Sequence, residues 1–298
     1  MKLDYPIIDL HTHLRNDIPG HTKVAIESGI NCVVFMANCD PPLDNLEAIL
    51  KAMSEQRSCL ALPVSAITKN LEGKEIVDID KIKKFVVGFS DDGKCVKDLD
   101  LIAEALEKNV LLMLHCEPET EYIEKYLQTL LKVGGKIHLQ HISLKKSVDF
   151  IRYFKGACRN EIASKKIQLT CETCPHYFTY TKDELDTKVN PPLVLKEDIF
   201  AIREGLADGT IDVIASDYAP LPRKTGIAGF RSFVPLSYGL VLDGTLTEEQ
   251  LKEKLSLNPL LILESSPMFD LVKRRLYGWT LDDATYELMR SNIRRGVR

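Results

Sequence analysis

Short apolar, β-branched runs recur along the chain, each bounded by turn or helix signals. They are PIIDLH (6–11), NCVVFMAN (31–38), LALPVSAIT (60–68), FVVGFS (85–90), VLLMLHCE (110–117), KIHLQHIS (136–143), KIQLTCETCPH (166–176) and DVIASD (212–217). Between most of them lie charged segments with apolar residues three and four apart, as in NLEAILKAMSEQ, LIAEALEKN, EYIEKYLQTLLK and SLKKSVDFIRYFK. Strand and helix alternating eight times predict an α/β chain folded as a (β/α)8 TIM barrel, here over residues 1–260. The Gly- and Pro-rich stretch from Ala219 to Pro235 reads as a long active-site loop, and TEEQLKEKLSLNP as a capped helix. FDLVKRRLYGWTL reads as one or two short strands and DDATYELMRSNIRRG as a final helix or tail. Residues 261–298 are therefore expected to form an extension that packs on the barrel or in an oligomer contact.

Composition narrows the class. Lys and Arg number 39 against 43 Asp and Glu, a net charge of −4, with 45% hydrophobic residues. That balance offers no basic surface for nucleic acid. The longest apolar runs, such as Val110 to Leu114, fall far short of the about 20 residues a membrane helix needs. No basic-then-apolar leader opens the sequence, so a cytoplasmic protein without membrane contact is expected. The eight cysteines lie scattered through strand-like runs, which suits reduced, buried thiols. Cys171 and Cys174, in CETC, have metal or redox spacing, but no second pair completes a structural zinc site.

The unusual polar residues gather where the predicted strands end. His11 and His13 close the first run, Asn38 the second, and Asp91 and Asp92 follow the fourth. His115, His141, His176 and Asp217 stand at or near the ends of the last four. On a strand His11 and His13 point the same way. The C-terminal face is where this barrel builds active sites, so these groups are expected to converge. Four imidazoles with one or two carboxylates suit Zn²⁺, with Mn²⁺ or Co²⁺ as substitutes. Six ligands exceed one tetrahedral ion, whereas two metals bridged by a carboxylate and a hydroxide would use them all. Asp91 and Asp92 in SDDG equally suit a turn. His138, three residues before His141, is expected to face the opposite way in a structural role, and His21 to be exposed.

The segments DLHTHLR, FMANCDPPLDN, FSDDG, LHCEP, HLQHIS, ETCPHYFT, VNPPL and IASDYAP, in this order, resemble dihydroorotase of the amidohydrolase superfamily in its Asp-Asp-Gly form. The likeness continues through GIAGFRSFVPLSYGLV and LSLNP, so it spans residues 6–260. It implies that His11 and His13 bind a first metal, His115 and His141 a second, and that Asp92 serves between them. It further implies that Asp217 touches the first metal and acts as general acid and base. Arg15 and Asn38 would hold the substrate carboxylate, with Asn190 near the pyrimidine ring. The implied activity is reversible, metal-dependent hydrolysis of the cyclic amide of dihydroorotate to N-carbamoyl-L-aspartate in pyrimidine biosynthesis, with two ions per chain.

Several positions depart from the family pattern. Leu221 stands where a second histidine helps bind the substrate carboxylate, with Arg223 and Lys224 as nearby substitutes. ETCPHYFT is closer to the allantoinase and hydantoinase form, and Val194 replaces an arginine. Relatives usually begin with strands of a small β-sandwich, whereas this sequence begins at the first barrel strand. Two alternatives follow: an allantoinase- or hydantoinase-like enzyme, or a weakly active barrel that partners another pyrimidine-pathway enzyme. Uncovered surface also leads us to expect a homo-oligomer or such a complex. A metal-dependent nuclease barrel shares the His-x-His opening but would need a basic surface.

Overall fold

A computed structural model describes residues 3–220 and 225–277. Seven of the eight runs form strands: β1 (Ile8–Thr12), β2 (Cys32–Phe35), β3 (Leu60–Pro63), β4 (Leu111–Leu114), β5 (Gly135–Leu139), β6 (Ile167–Thr173) and β7 (Val213–Ile214). β1 to β3 pair in parallel as one sheet, and β4 to β7 as another. The remaining run, 85–90, joins them: Val87 N donates to Pro63 O at 3.0 Å and Phe89 N to Leu111 O at 2.9 Å. At the other seam His13 N donates to Tyr218 O at 2.7 Å, which closes the ring. Helices Ile18–Glu27, Leu46–Ser54, Leu99–Glu107, Glu119–Val133, Lys145–Ala157 and Lys196–Asp208 cover the outside.

Burial follows the alternation of strand side chains. Ile8, Val34, Leu62, Val87, Met113 and Val213 form a plug inside the barrel. Their neighbours Val33, Phe35, Ala61, Leu112 and Ile214 join the larger core shared with the helices. On β1 this alternation is interrupted. Asp9 pairs with Val33 but Thr12 pairs with Phe35, a bulge of one residue. Strict alternation from Ile8 and Leu10 would turn His11 and His13 outward. The bulge changes the phase, so the histidines face inward above the apolar plug, a recurrent use of bulges beside active sites.

Four expectations need correction. The stretch 219–235 is not all loop, because helix Phe230–Leu242 begins inside it and includes Pro235. Buried Phe230, Phe233, Val234, Ser237 and Leu240 supply a helical stripe that outweighs the proline. FDLVKRRLY forms helix Phe269–Tyr277 rather than strands. Its Phe269, Val272 and Leu276, spaced three and four apart, pack on the barrel plug. His21 is half-buried, and its Nδ1 lies 2.9 Å from the Tyr218 hydroxyl. His138 does not face away from the site, as described below. Among the described residues, no helix is long and apolar enough to cross a membrane. Residues 278–298, which include DDATYELMRSNIRRG, the stretch expected to be a final helix or tail, and residues 221–224 lie outside the described residues.

Candidate active site

Asp92 sits between four imidazoles at the C-terminal mouth of the barrel. Its Oδ2 lies 3.3 Å from His11 Nε2 and 3.2 Å from His13 Nε2. Asp217 Oδ1 completes this group, 3.0 Å from His13 Nε2 and 3.6 Å from His11 Nε2. The other oxygen, Asp92 Oδ1, lies 3.3 Å from His141 Nε2 and 3.6 Å from His115 Nδ1, and those two nitrogens are 2.8 Å apart. All six side chains are buried. Of the Asp-Asp pair, the other member is structural: Asp91 accepts from Ile67 N at 2.8 Å, Thr68 N at 3.0 Å and the Thr68 hydroxyl.

The spacing of the donors fits metal ions. Four ligands at about 2.0–2.1 Å around a tetrahedral zinc stand about 3.3 Å from one another. The spacings around each Asp92 oxygen scatter about that value. His11 Nδ1 donates to Glu172 Oε1 at 2.6 Å, which leaves Nε2 as the nitrogen that can exchange its proton for a cation. That Nε2 has no hydrogen-bond partner and lies 3.3 Å from Asp92 Oδ2 and 3.6 Å from Asp217 Oδ1. Lone pairs gathered in a buried pocket are stabilised by a cation, so the residues fit one. Two overlapping triads, His11–Asp92–His141 and His11–His13–Asp217, could each hold an ion.

A layer of further groups orients these rings. Glu172 Oε2 accepts from His138 Nε2 at 3.0 Å, and His138 Nδ1 lies 2.8 Å from Thr170 Oγ1. His138 thus faces the barrel interior, behind His11. Three-residue spacing does not separate the two histidines, because His141 lies beyond the end of β5 with φ of 36°, which turns its ring back toward the site. Glu172 is absent from the candidates drawn from the sequence, and the signal for it is its place between the cysteines of CETC, near the end of β6. His13 Nδ1 donates to Asn38 Oδ1 at 3.0 Å, and Asn38 Nδ2 donates to Asp92 O at 3.2 Å. Asn38 therefore orients a histidine as well as lining the cavity.

The electrostatics follow from burial opposed by proximity. Burial alone would raise the Asp92 carboxyl, but His11, His115 and His141 hold it well below its ordinary range. Asp217 and Glu172 are likewise favoured in the neutral form by burial, yet nearby imidazoles bring each to about 2. Burial opposes charging of His11, and Asp92, Glu172 and Asp217 overcome it, raising the imidazole well above its usual range. This negative field draws protons and would draw divalent cations. Arg15, His141 and Asp217 have φ of 54°, 36° and 47°. Each such left-handed residue costs about 1–3 kcal/mol, which the surrounding packing must hold in place.

Beside Asp92 and Asp217 opens a cavity of about 410 Å³, lined also by His13, Arg15, Asn38, Asn190 and Gly226. Arg15 Nη1 donates to Asn38 O at 2.6 Å, and Asn190 Nδ2 lies 3.5 Å from His115 Nε2. The three residues expected around a substrate thus share one wall system with the imidazole cluster. Leu221, Arg223 and Lys224 lie outside the described residues.

Barrel topology and donor chemistry together define a metal-dependent amidohydrolase. Solved structures of that kind share the fold: an L-hydantoinase from Arthrobacter aurescens superposes with a TM-score of 0.76 at 18% identity, over 88% of this chain and 72% of the other. An inactive dihydroorotase-like domain of a multifunctional protein from Chaetomium thermophilum gives 0.64 at 17%, over 87% and 80%. The chain matches no protein-family model. Curated relatives are more similar: a dihydroorotase of Trichlorobacter lovleyi is 33% identical over 85% of this chain and 71% of its own length. One of Aquifex aeolicus is 31% identical over 86% and 72%. The chain belongs to the dihydroorotase family.

Proposed function

We propose that the chain hydrolyses the cyclic amide of dihydroorotate reversibly to N-carbamoyl-L-aspartate, serving pyrimidine biosynthesis, with two zinc ions per chain and Mn²⁺ or Co²⁺ as substitutes. The observation that carries this reading is Asp92, one oxygen turned to His11 and His13 and the other to His115 and His141, beside a cavity that contains Arg15. His11, His13, Asp92 and Asp217 would hold one ion, and His115, His141 and Asp92 the other. Bound there, the ions supply a water of lowered pKa and polarise the amide carbonyl. Asp217 takes the proton of the attacking water and delivers it to the ring nitrogen as the carbon–nitrogen bond breaks. Arg15 offers two parallel N–H groups to the substrate carboxylate, and Asn38 supports it. Asn190 lies against the pyrimidine ring.

Retention of all six candidate ligands favours an active enzyme over a barrel kept only as a partner subunit. A cytoplasmic homo-oligomer, or a complex with another pyrimidine-pathway enzyme, completes the proposal. The test is a substrate panel with metal-loaded protein: dihydroorotate, hydantoin and allantoin, each before and after chelation. Chelator-sensitive turnover of dihydroorotate, well above the other two, is expected. Turnover of hydantoin or allantoin in its place would overturn the assignment.

A further inference from the structure

CETC, the one pair of cysteines with metal spacing, does not act as a pair. Cys171 belongs to the outer core, with its Sγ 3.2 Å from Thr210 O. Cys174 is buried in the same core, just past the end of β6 and before Pro175. A third cluster of possible ligands forms around it. Cys174 Sγ, a ring nitrogen of His176 and a carboxylate oxygen of Asp217 lie within 4.8 Å of one another, and all three residues are buried. His176 Nε2 is a buried nitrogen with no hydrogen-bond partner. Neither Cys174 nor His176 has a part in the mechanism above, and Asp217 opens their group to the cavity.

The chemistry of this cluster differs from that around Asp92, where every donor is nitrogen or oxygen. A thiolate prefers soft, thiophilic cations. A coordinated thiol is deprotonated outright. The S–H bond breaks, a sulfur–metal bond forms, and the proton passes to buffer.

We propose that Cys174, His176 and Asp217 form an inhibitory site for a thiophilic divalent cation such as Cd²⁺ or excess Zn²⁺. An ion held there engages the Asp217 carboxylate and so stops its proton transfer. The effect on activity rests on the role proposed for Asp217, whereas occupancy of the site does not.

The experiment adds Cd²⁺ to the metal-loaded full chain while following the ultraviolet thiolate-to-cadmium charge-transfer band, bound and released metal by elemental analysis, and turnover. One additional Cd²⁺ per chain is expected, with the band and loss of activity rising together and the resident metal retained. Cys174→Ser should abolish the band and the inhibition. His176→Gln should weaken both by at least the about 10–100-fold seen when outer partners of metal ligands are lost. Cys171→Ser should keep both. A band that survives Cys174→Ser, a band lost with Cys171→Ser, or Cd²⁺ uptake matched by release of resident metal would overturn the site. If the chain turns over none of the cyclic amides, the band and stoichiometry still decide occupancy, so the two ideas fail separately.

Discussion

Glu172 grips two histidines at once, with Oε1 accepting from His11 Nδ1 at 2.6 Å and Oε2 from His138 Nε2 at 3.0 Å. The first bond fixes the tautomer that leaves His11 Nε2 free for a cation. The second holds the carboxylate in place. Partners of this kind are worth about 10–100-fold in metal affinity. Glu172→Ala should therefore weaken zinc binding by about that factor, and Glu172→Gln by less, since its amide oxygen still accepts from Nδ1. Competition with a chromophoric chelator gives the affinities; equal values for the parent and both variants would remove Glu172 from the site.

Asp217→Asn tests the proton transfer. The amide keeps the size and an oxygen but cannot take a proton, so kcat should fall by about 10²–10⁴ while KM changes little. Metal content must be measured on the same samples, because Asp217 also stands in one of the candidate ligand groups. A loss of turnover fully explained by lost metal would leave Asp217 a ligand and no more.

Arg15→Lys keeps the charge and removes the fork. Charge-assisted hydrogen bonds are worth about 1.5–3 kcal/mol, so KM for dihydroorotate should rise roughly 10–150-fold. Dihydrouracil, the same ring without the carboxylate, is the control. Its turnover should be nearly the same in the parent and the variant; an equal loss on both substrates would mean that Arg15 supports the site and not the carboxylate.

Much of this arrangement was legible in the sequence because strand ends in a barrel share one face, so His11, His115 and Asp217 could be brought together from positions far apart. The family likeness then separated Asp92 from Asp91, which spacing alone could not do. What the pattern could not give were departures from regular geometry. The bulge in β1 and the left-handed His141 both change which way a side chain points, and neither leaves a mark in hydrophobic periodicity. Glu172 was hidden for another reason. Its carboxylate is buried and paired with histidines, and such pairing is set by strand neighbours rather than by sequence neighbours.

Gly226 closes the cavity wall at φ of 119°, with its N–H donating to Lys188 O at 2.8 Å. A Cβ added there would stand 2.5 Å from the Cβ of Ala219, two residues beyond Asp217. Backbone on both sides must shift to relieve that overlap. Gly226→Ala is therefore expected to lower kcat/KM by about 10-fold or more while metal content stays unchanged, since displacements of about 1 Å near the reacting groups have costs of this order. Parent-like kinetics would mean that this wall yields freely.

Glu119 holds the segment that carries His141. It is buried, and it accepts from Ser143 N at 3.2 Å, Leu144 N at 3.1 Å and the Ser143 hydroxyl. Those donors lie at the start of helix Lys145–Ala157, whose next amide, Lys145 N, is taken by Asp198 Oδ1 at 2.8 Å. The two carboxylates thus do the capping that Leu144, at the N-cap, cannot do. Glu119→Ala would leave several buried donors without an acceptor, a loss of about 2–3 kcal/mol of folding stability. Glu119→Gln keeps one acceptor oxygen and should recover a good part of it. Urea unfolding of the metal-free proteins measures this directly, and metal affinity provides a second readout. If Glu119 acts through the backbone that sets His141 at φ of 36°, the alanine variant loses affinity as well as stability. Lost stability with parent-like metal affinity would show that the helix start and the His141 turn are held independently.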